Sequence, residues 1–227
     1  MTTSIVAIDT PSLGDRSYLV HDGRVAFVVD PQRDIDRMLA AADGAGVRIT
    51  HVFETHIHND YVTGGFALAQ QTGAQYLVNT ADAVSFDRTP ISGGDVVEVS
   101  PELRVRVVAT PGHTFTHLSY VLEGEDPAVF SGGSLLFGST GRPDLLGPEH
   151  THTLAHHQFA SARPRAARRH GRHAHARVRQ LLLGHRHDVR RHRVDDRDGA
   201  AQQPRPDHSD HAADAGLVLV SEHVVTD

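Results

Sequence analysis

Between Ser4 and Phe130 the chain is made of short runs rich in Val, Ile and Tyr, cut at close intervals by Gly, Asp and Pro. "SIVAI", "SYLV", "VAFVVD", "ITHVFE", "AQYLVN", "DVVEV", "RVRVVAT", "LSYVL" and "AVFSG" are each too short for an ordinary helix. Their β-branched content and turn-forming boundaries mark them as strands. "DGR", Asp22 to Arg24, separates two of them and suits a hairpin turn. Two segments break the pattern. "DIDRMLAAADGAG" places Ile35, Met38, Leu39 and Ala42 at helical spacing, with Asp34 able to cap the start and glycine to end it. "GGFALAQQTG" reads as a second, short helix. Strands outnumber helices and do not alternate strictly with them. The expected fold class is therefore α+β, a layered α/β arrangement rather than a doubly wound sheet.

The chain has 227 residues, enough for one good core or one domain with an appendage. Its net charge of −6 gives no reason to expect a nucleic-acid partner or an acidic membrane surface. No apolar run is long enough to span a bilayer and no basic-then-apolar leader opens the chain, so the expected location is cytoplasmic. Cysteine is absent, which removes disulfides, thiolate ligands and a cysteine nucleophile. Any metal must be held by nitrogen and oxygen. Lysine is absent too, so every basic side chain apart from histidine is arginine.

Histidine is unusually common, at 19 residues. Those before position 150 are His21, His51, His56, His58, His113 and His117. "ETHIHNDYVTGG", Glu54 to Gly65, ends a strand and breaks into a loop. His56 and His58 are two apart, so in extended backbone they project to one side. Asp60 adds a hard oxygen ligand or a general base. A lone H-x-H arises often by chance, but "VVATPGHTFTHLSYVL" brings His113 independently, on a Pro-Gly turn between two strands. Three imidazoles with a position left open form a catalytic-type metal site. His51 and His117 are expected to have structural or surface roles.

"THIHNDYVTGG", "ATPGHTFTHLSYVL" and "VFSGGSLLFGSTGRPDLL" resemble the metallo-β-lactamase superfamily over roughly residues 4 to 160. The likeness is strongest to its persulfide dioxygenase-like and glyoxalase II-like members, including those that accompany rhodanese domains. It implies a four-layer αββα sandwich with a metal cleft at one edge. It also implies metal ligation by His56, His58 and His113, with Asp60 matching the second-metal aspartate of the H-x-H-x-D-H motif. Two departures stand out. Tyr61 occupies the place of that motif's last histidine, and Gly133 that of the usual ligand aspartate. The first favours one metal ion, Fe(II) or Zn(II), over two; the second removes the carboxylate that completes a two-His-one-carboxylate iron site in persulfide dioxygenases, so that water or Asp60 fills the gap or the metal affinity and chemistry differ. Tyr61 and Arg142 are candidate substrate contacts; for Arg142 a structural pairing with Asp144 is the stronger reading. The implied activity is oxidation of a glutathione-type persulfide at mononuclear iron. The alternatives are zinc-dependent hydrolysis of a thioester, as in hydroxyacylglutathione hydrolases, and an inactive product whose metal site does not assemble. A rhodanese partner and a homodimer are compatible with the resemblance.

The character changes after Ala162. Residues 163–227 are dominated by Arg, His, Ala, Asp and Gly without sustained periodicity, and twelve arginines lie between Arg163 and Arg197. Such a segment cannot supply a core. It also lacks the aromatic platforms of single-strand binders. The expected organisation is a metallo-β-lactamase-like domain over 1–162 and an anomalous tail over 163–227, leaving the sandwich incomplete at its C-terminal side. "GLVLV", Gly216 to Val220, can form a stray strand. The resemblance implies a helix after "LLGPEHT" and then a strand ending near "PTHGFGSFCSAT". Reading one base later through "HARVRQLLLGHR", His175 to Arg186, synonymous codons exist for Thr-His-Gly-Phe-Gly-Ser-Phe-Cys-Ser-Ala-Thr. The tail is thus read as a one-base frameshift near Arg163–Pro164. Sequencing the coding DNA is expected to show A-C-G across His175–Ala176 and C-A-C across Ala176–Arg177; other codons there end this reading.

Overall fold

In the computed structural model, which describes residues 3–58, 61–136, 139–162 and 218–220, each of the nine β-branched runs lies in a strand. Strands β1 (Ser4–Thr10), β2 (Asp15–His21) and β3 (Val25–Val29) form an antiparallel meander. The expected hairpin turn joins the last two: Asp22 Oδ1 accepts hydrogen bonds from the N–H groups of Arg24 (2.8 Å) and Val25 (2.9 Å). Parallel pairing then adds β4 (Arg48–Phe53), β5 (Gln75–Asn79) and β6 (Thr89–Ile91), in the sheet order β1-β2-β3-β4-β5-β6. Parallel neighbours need crossovers, and α1 (Ile35–Ala45) and α2 (Gly65–Thr72) supply the first two.

The second sheet begins with an antiparallel set, β7 (Val96–Glu98), β8 (Arg104–Ala109), β9 (Leu118–Glu123) and β10 (Ala128–Phe130). A 3₁₀ turn, Gly132–Ser134, leads into a small hairpin of β11 (Leu135–Leu136) and β12 (Ser139–Thr140), and then α3 (Pro148–Ala162). The expected stray strand forms as β13 (Val218–Val220), parallel to β10 at the sheet edge.

Strand periodicity explains the layers. In β2, β3 and β4 one set of alternate residues, Tyr18, Phe27 and Phe53, faces the second sheet and packs with Tyr120 and Phe130. The other set, Leu19, Val28 and Val52, packs under Met38 and Ala42 of α1 and Leu68 of α2. A sheet covered on both faces needs apolar residues at consecutive positions, and "VAFVV" and "HVF" are such runs. The aromatic rings mesh at an angle: Phe27 meets Phe53 at 5.5 Å and Phe130 at 5.8 Å, edge to face, and Phe53 meets Tyr120 at 4.8 Å.

The fourth layer is partial. The end of α3 lies over Val108, Val121 and Val129 on the outer face of the second sheet, leaving a cavity of about 80 Å³. The opposite end of that face carries a partly exposed charge ladder of Glu98, Arg104, Glu123 and Arg106. The arrangement is the expected αββα sandwich, incomplete on its C-terminal flank. The expected tail lies outside the described residues apart from β13.

Two details differ from expectation. Asp34 stands at the N-cap of α1, but its side chain makes no capping hydrogen bond. The helix ends as expected on Gly46, in left-handed backbone at φ 66°. Strands β6, β11 and β12 are too short to carry a periodic signal, and β6 contains Pro90, which only a sheet edge accommodates.

Phe53 links the inter-sheet core to the residues that follow it. Phe53→Ala is expected to lower unfolding stability by about 3–5 kcal/mol, read as a shifted denaturant midpoint at unchanged slope.

Candidate metal centre

The site grows from the end of β4. Glu54 N–H donates to Leu77 O (3.1 Å) in the first sheet, and Thr55 O accepts from Leu118 N–H (2.7 Å) in the second. The Tyr120 hydroxyl also donates to Glu54 O. The chain is therefore fastened to both sheets just before it delivers His56 and His58 at their common rim.

Asp30, at the end of β3, governs this segment. It is a non-glycine residue in left-handed backbone, at φ 48°. Its buried carboxylate accepts from the Thr55 N–H (2.7 Å) and the Thr55 hydroxyl (2.8 Å). With its proton committed to Asp30, that hydroxyl must accept from His56 Nδ1, 2.9 Å away. His56 Nε2 is then left with a bare lone pair. His113 follows the same logic: its Nδ1 lies 3.2 Å from the Arg142 carbonyl, which can only accept, so in the neutral ring the lone pair is on Nε2.

His58 is held from behind. Its side chain is 2% exposed, and its Nε2 lies 2.9 Å from the Tyr61 hydroxyl, 3.5 Å from Asp30 Oδ1 and 3.6 Å from Glu54 Oε2. Burial opposes a charge on His58, but the two carboxylates outweigh it and hold its pKa well above the ordinary range. Burial likewise resists ionisation of Asp30, yet His58 and Thr55 keep its pKa low. Burial, reinforced by the charge on Asp30, raises that of Glu54. Glu54 Oε1 accepts from Thr63 Oγ1 (2.5 Å) and Tyr76 Oη (3.0 Å), while Oε2 is buried without a hydrogen bond. With Nε2 turned to the carboxylates, Nδ1 is the nitrogen of His58 left for a ligand role.

The three imidazoles expected to act together are brought together: ring centroids lie 4.1 Å apart for His56–His58 and 4.8 Å for His56–His113. Burial first, then the neighbouring imidazoles, push the pKa of His56 well down, so it stays neutral as a metal ligand must. The nitrogens left for a ligand role are thus His56 Nε2, His58 Nδ1 and His113 Nε2. The group of described residues whose donor atoms all lie within 4.8 Å of one another is instead Asp30, Glu54 and His58. Both Asp30 oxygens already accept from Thr55, which suits this pair to orienting His58 rather than replacing it as ligands.

Gly133 is where the resemblance places a carboxylate. A Cβ there would lie 2.5 Å from His113 Cδ2 and 2.6 Å from Nε2. The imidazole occupies the space a side chain would need. Tyr61 directs its hydroxyl to His58. Arg142 pairs bidentately with Asp144 at 3.0 and 2.9 Å, the structural reading, while its carbonyl fixes His113. Asp60 lies outside the described residues. A wide concavity of about 680 Å³ lies elsewhere, lined by Glu102, Arg104 and Glu123 among others.

Sequence reasoning did not single out Asp30, Glu54 or Thr55, and it left His51 and His117 between structural and surface roles. His51 does have a structural role, stacked on Phe53. His117 is wholly buried, not on the surface, and stacks on His56 at 5.1 Å. Its Nδ1 meets Thr110 Oγ1 at 2.9 Å, and Nε2 has no hydrogen-bond partner.

Burial, then repulsion from His113, lowers the His117 pKa to about 3. Between pH 6.5 and about 3 the unfolded chain binds a proton here that the folded chain refuses, so stability falls as pH falls. In denaturant titrations of the metal-free protein from pH 7 to 5, the wild type is expected to lose about 1 kcal/mol more per pH unit than His117→Gln. Parallel pH profiles would refute this assignment.

Comparison with known proteins agrees with this fold. The family model of the metallo-beta-lactamase superfamily matches residues 14–167. A hydroxyacylglutathione hydrolase of Acidiphilium cryptum is 35% identical over 135 residues, covering 58% of this chain and 54% of that protein. One from Rhodospirillum rubrum is 36% identical over 118 residues, covering 51% and 44%. The chain thus spans about half the length of these relatives. Among solved structures, ETHE1 from Myxococcus xanthus superposes with a TM-score of 0.61 at 31% identity, covering 70% of this chain and 68% of that one. A metallo-beta-lactamase from Staphylococcus aureus gives 0.64 at 28%, covering 71% and 51%. With its four-layer sandwich, its clustered imidazoles and a family match over most of its described length, the chain belongs to the metallo-β-lactamase superfamily.

Proposed function

We propose that the chain is a single-metal enzyme acting on the sulfur of a small thiol derivative, with oxidation of a persulfide by O2 as the leading reaction. The observation that carries this reading is the substitution at the second-metal position, Tyr61; Gly133 takes a carboxylate away from the ion that remains. Tyr61 puts a hydroxyl against His58, and Gly133 offers no carboxylate. What remains suits one ion held by His56, His58 and His113, with open positions for other ligands. Bound there, iron would supply the redox chemistry that joins oxygen to sulfur, and zinc would supply Lewis acidity.

The protein's own groups have definable tasks. Thr55, held by Asp30, keeps His56 in the tautomer that exposes Nε2. The Arg142 carbonyl does the same for His113. Asp30 and Glu54 aim His58 and balance its charge. Ligation by His58 Nδ1 requires that nitrogen to give up any proton it carries. The overall leading reaction, R–S–SH + O2 + H2O giving R–SH, sulfite and two protons, balances without a further reductant.

The second reading is hydrolysis of a thioester to an acid and a thiol, favoured by the likeness to hydroxyacylglutathione hydrolases. Metal analysis of the purified protein separates the two. About one equivalent of iron, with one O2 consumed per persulfide, is the expected result. Zinc with thioester cleavage and no O2 uptake would replace it with the second reading. Protein that takes up no stoichiometric metal would overturn both.

A further inference from the structure

Outside the candidate centre, α3 carries imidazoles of its own. His152 and His156 are exposed and stand one turn apart on the same helical face. That is the spacing by which two helical histidines reach one zinc ion. Their ring centroids lie 4.7 Å apart, against 4.1 and 4.8 Å for the imidazole pairs of the candidate centre. Two imidazoles bound to one ion through nitrogens at about 2.0 Å have ring centres roughly 4.5–5 Å apart. The other histidines of α3 have different neighbours. His150 meets Phe115 and Glu149, and His157 meets Phe115. Among the described residues no hydrogen bond or ion pair engages the rings of His152 and His156.

The helix that presents this pair is anchored along its length. Thr151 Oγ1 donates to Gly147 O (3.2 Å) just before the first turn, and Leu154 is wholly buried. Gln158 Nε2 donates to Ser134 O, and Ser161 Oγ donates to Pro111 O (2.7 Å). Both imidazoles therefore project from a fixed backbone, and an ion held by one meets the other at high effective concentration. We infer that α3 bears a separate metal site, in which His152 and His156 chelate a divalent transition ion of the Cu(II), Ni(II) and Zn(II) class. Nitrogen donors favour these ions over Mg(II) and Ca(II), which take oxygen. No third His, Asp or Glu among the described residues groups with the pair, so water completes the shell and the ion exchanges with solvent. The site goes beyond the reaction proposed above and does not depend on it. Because the chelate exists only in the folded helix, occupancy stabilises α3, whose end covers part of the second sheet.

The candidate centre and the histidines within residues 163–227 can also take up metal, so the readout must be local. Hydrogen exchange of the full-length chain, read by mass spectrometry, isolates the amides of α3. Their exchange is expected to slow as Ni(II) is added. His152→Gln and His156→Gln are each expected to need about tenfold or more Ni(II) for the same slowing, since each leaves one imidazole without its chelate partner. His150→Gln removes a histidine of the same helix outside the pair and is expected to respond like the wild type. Glutamine is a good helix former, and thermal melting without metal confirms that each variant is folded. Three results would each overturn the inference: no slowing at millimolar Ni(II), slowing in both pair variants at the wild-type Ni(II) concentration, or an equal loss of response in His150→Gln. Slowing that survives in both pair variants assigns the effect to the candidate centre or to residues 163–227. Neither outcome alters the reading of the reaction, which metal content and O2 uptake decide.

Discussion

The carboxylate of Asp30 accepts two hydrogen bonds from a single residue, Thr55, one from its backbone N–H and one from its hydroxyl. To do so Asp30 adopts left-handed backbone, a conformation that Asp tolerates better than most residues at a cost on the order of 1 kcal/mol. Two charge-assisted hydrogen bonds in a buried setting offset that cost. Without them the Thr55 N–H would be an unpaired donor, the His56 tautomer would be unset, and His58 would lose one of the two carboxylates behind it. The end of β3 thus determines the chemistry available at the end of β4.

This clamp works because the segment it holds is also tied to the second sheet. Thr55 O accepts from Leu118, and the Tyr120 hydroxyl reaches Glu54 O. Separation of the two layers would therefore distort the imidazole cluster directly. The 3₁₀ turn closes the other side. A Cβ on Gly132 would collide with the Thr55 side chain, and one on Gly133 with the His113 ring. Paired glycines here let a backbone turn approach two site residues more closely than any side-chain-bearing pair could. Gly133 gives up a carboxylate and makes room for an imidazole.

How much of this was legible depends on the range over which each interaction acts. The long strands and both early helices declare themselves through local periodicity, which burial on one or two faces imposes. Candidate ligands were legible because H-x-H and a His on a Pro-Gly turn are local patterns. Asp30 and Glu54 were not, since a carboxylate near a strand end looks the same whether it meets solvent or Thr55. The pairing of Asp30 with Thr55 spans 25 positions and exists only through the parallel β3–β4 register. His117 was left between a structural and a surface role for a related reason. A single His just before a strand has no periodic signature that separates the surface from the core, and only the packing at the start of β9 places it beside His56.

The charge distribution follows from these constraints. In a two-histidine, one-carboxylate centre the negative charge touches the ion. Here the three candidate ligands are neutral when ligating, and the nearest described carboxylates, Asp30 and Glu54, stand behind His58. A carboxylate one imidazole away stabilises a cation less than one in direct contact, because the interaction weakens with distance. It also leaves more of the cation's charge to act on whatever enters the open positions. The same two carboxylates favour a proton on His58, so proton and metal compete for one side chain. Weaker retention and stronger polarisation of a bound group would follow from the glycine where a carboxylate would stand, whereas proton release on loading would follow from Asp30 and Glu54 behind His58.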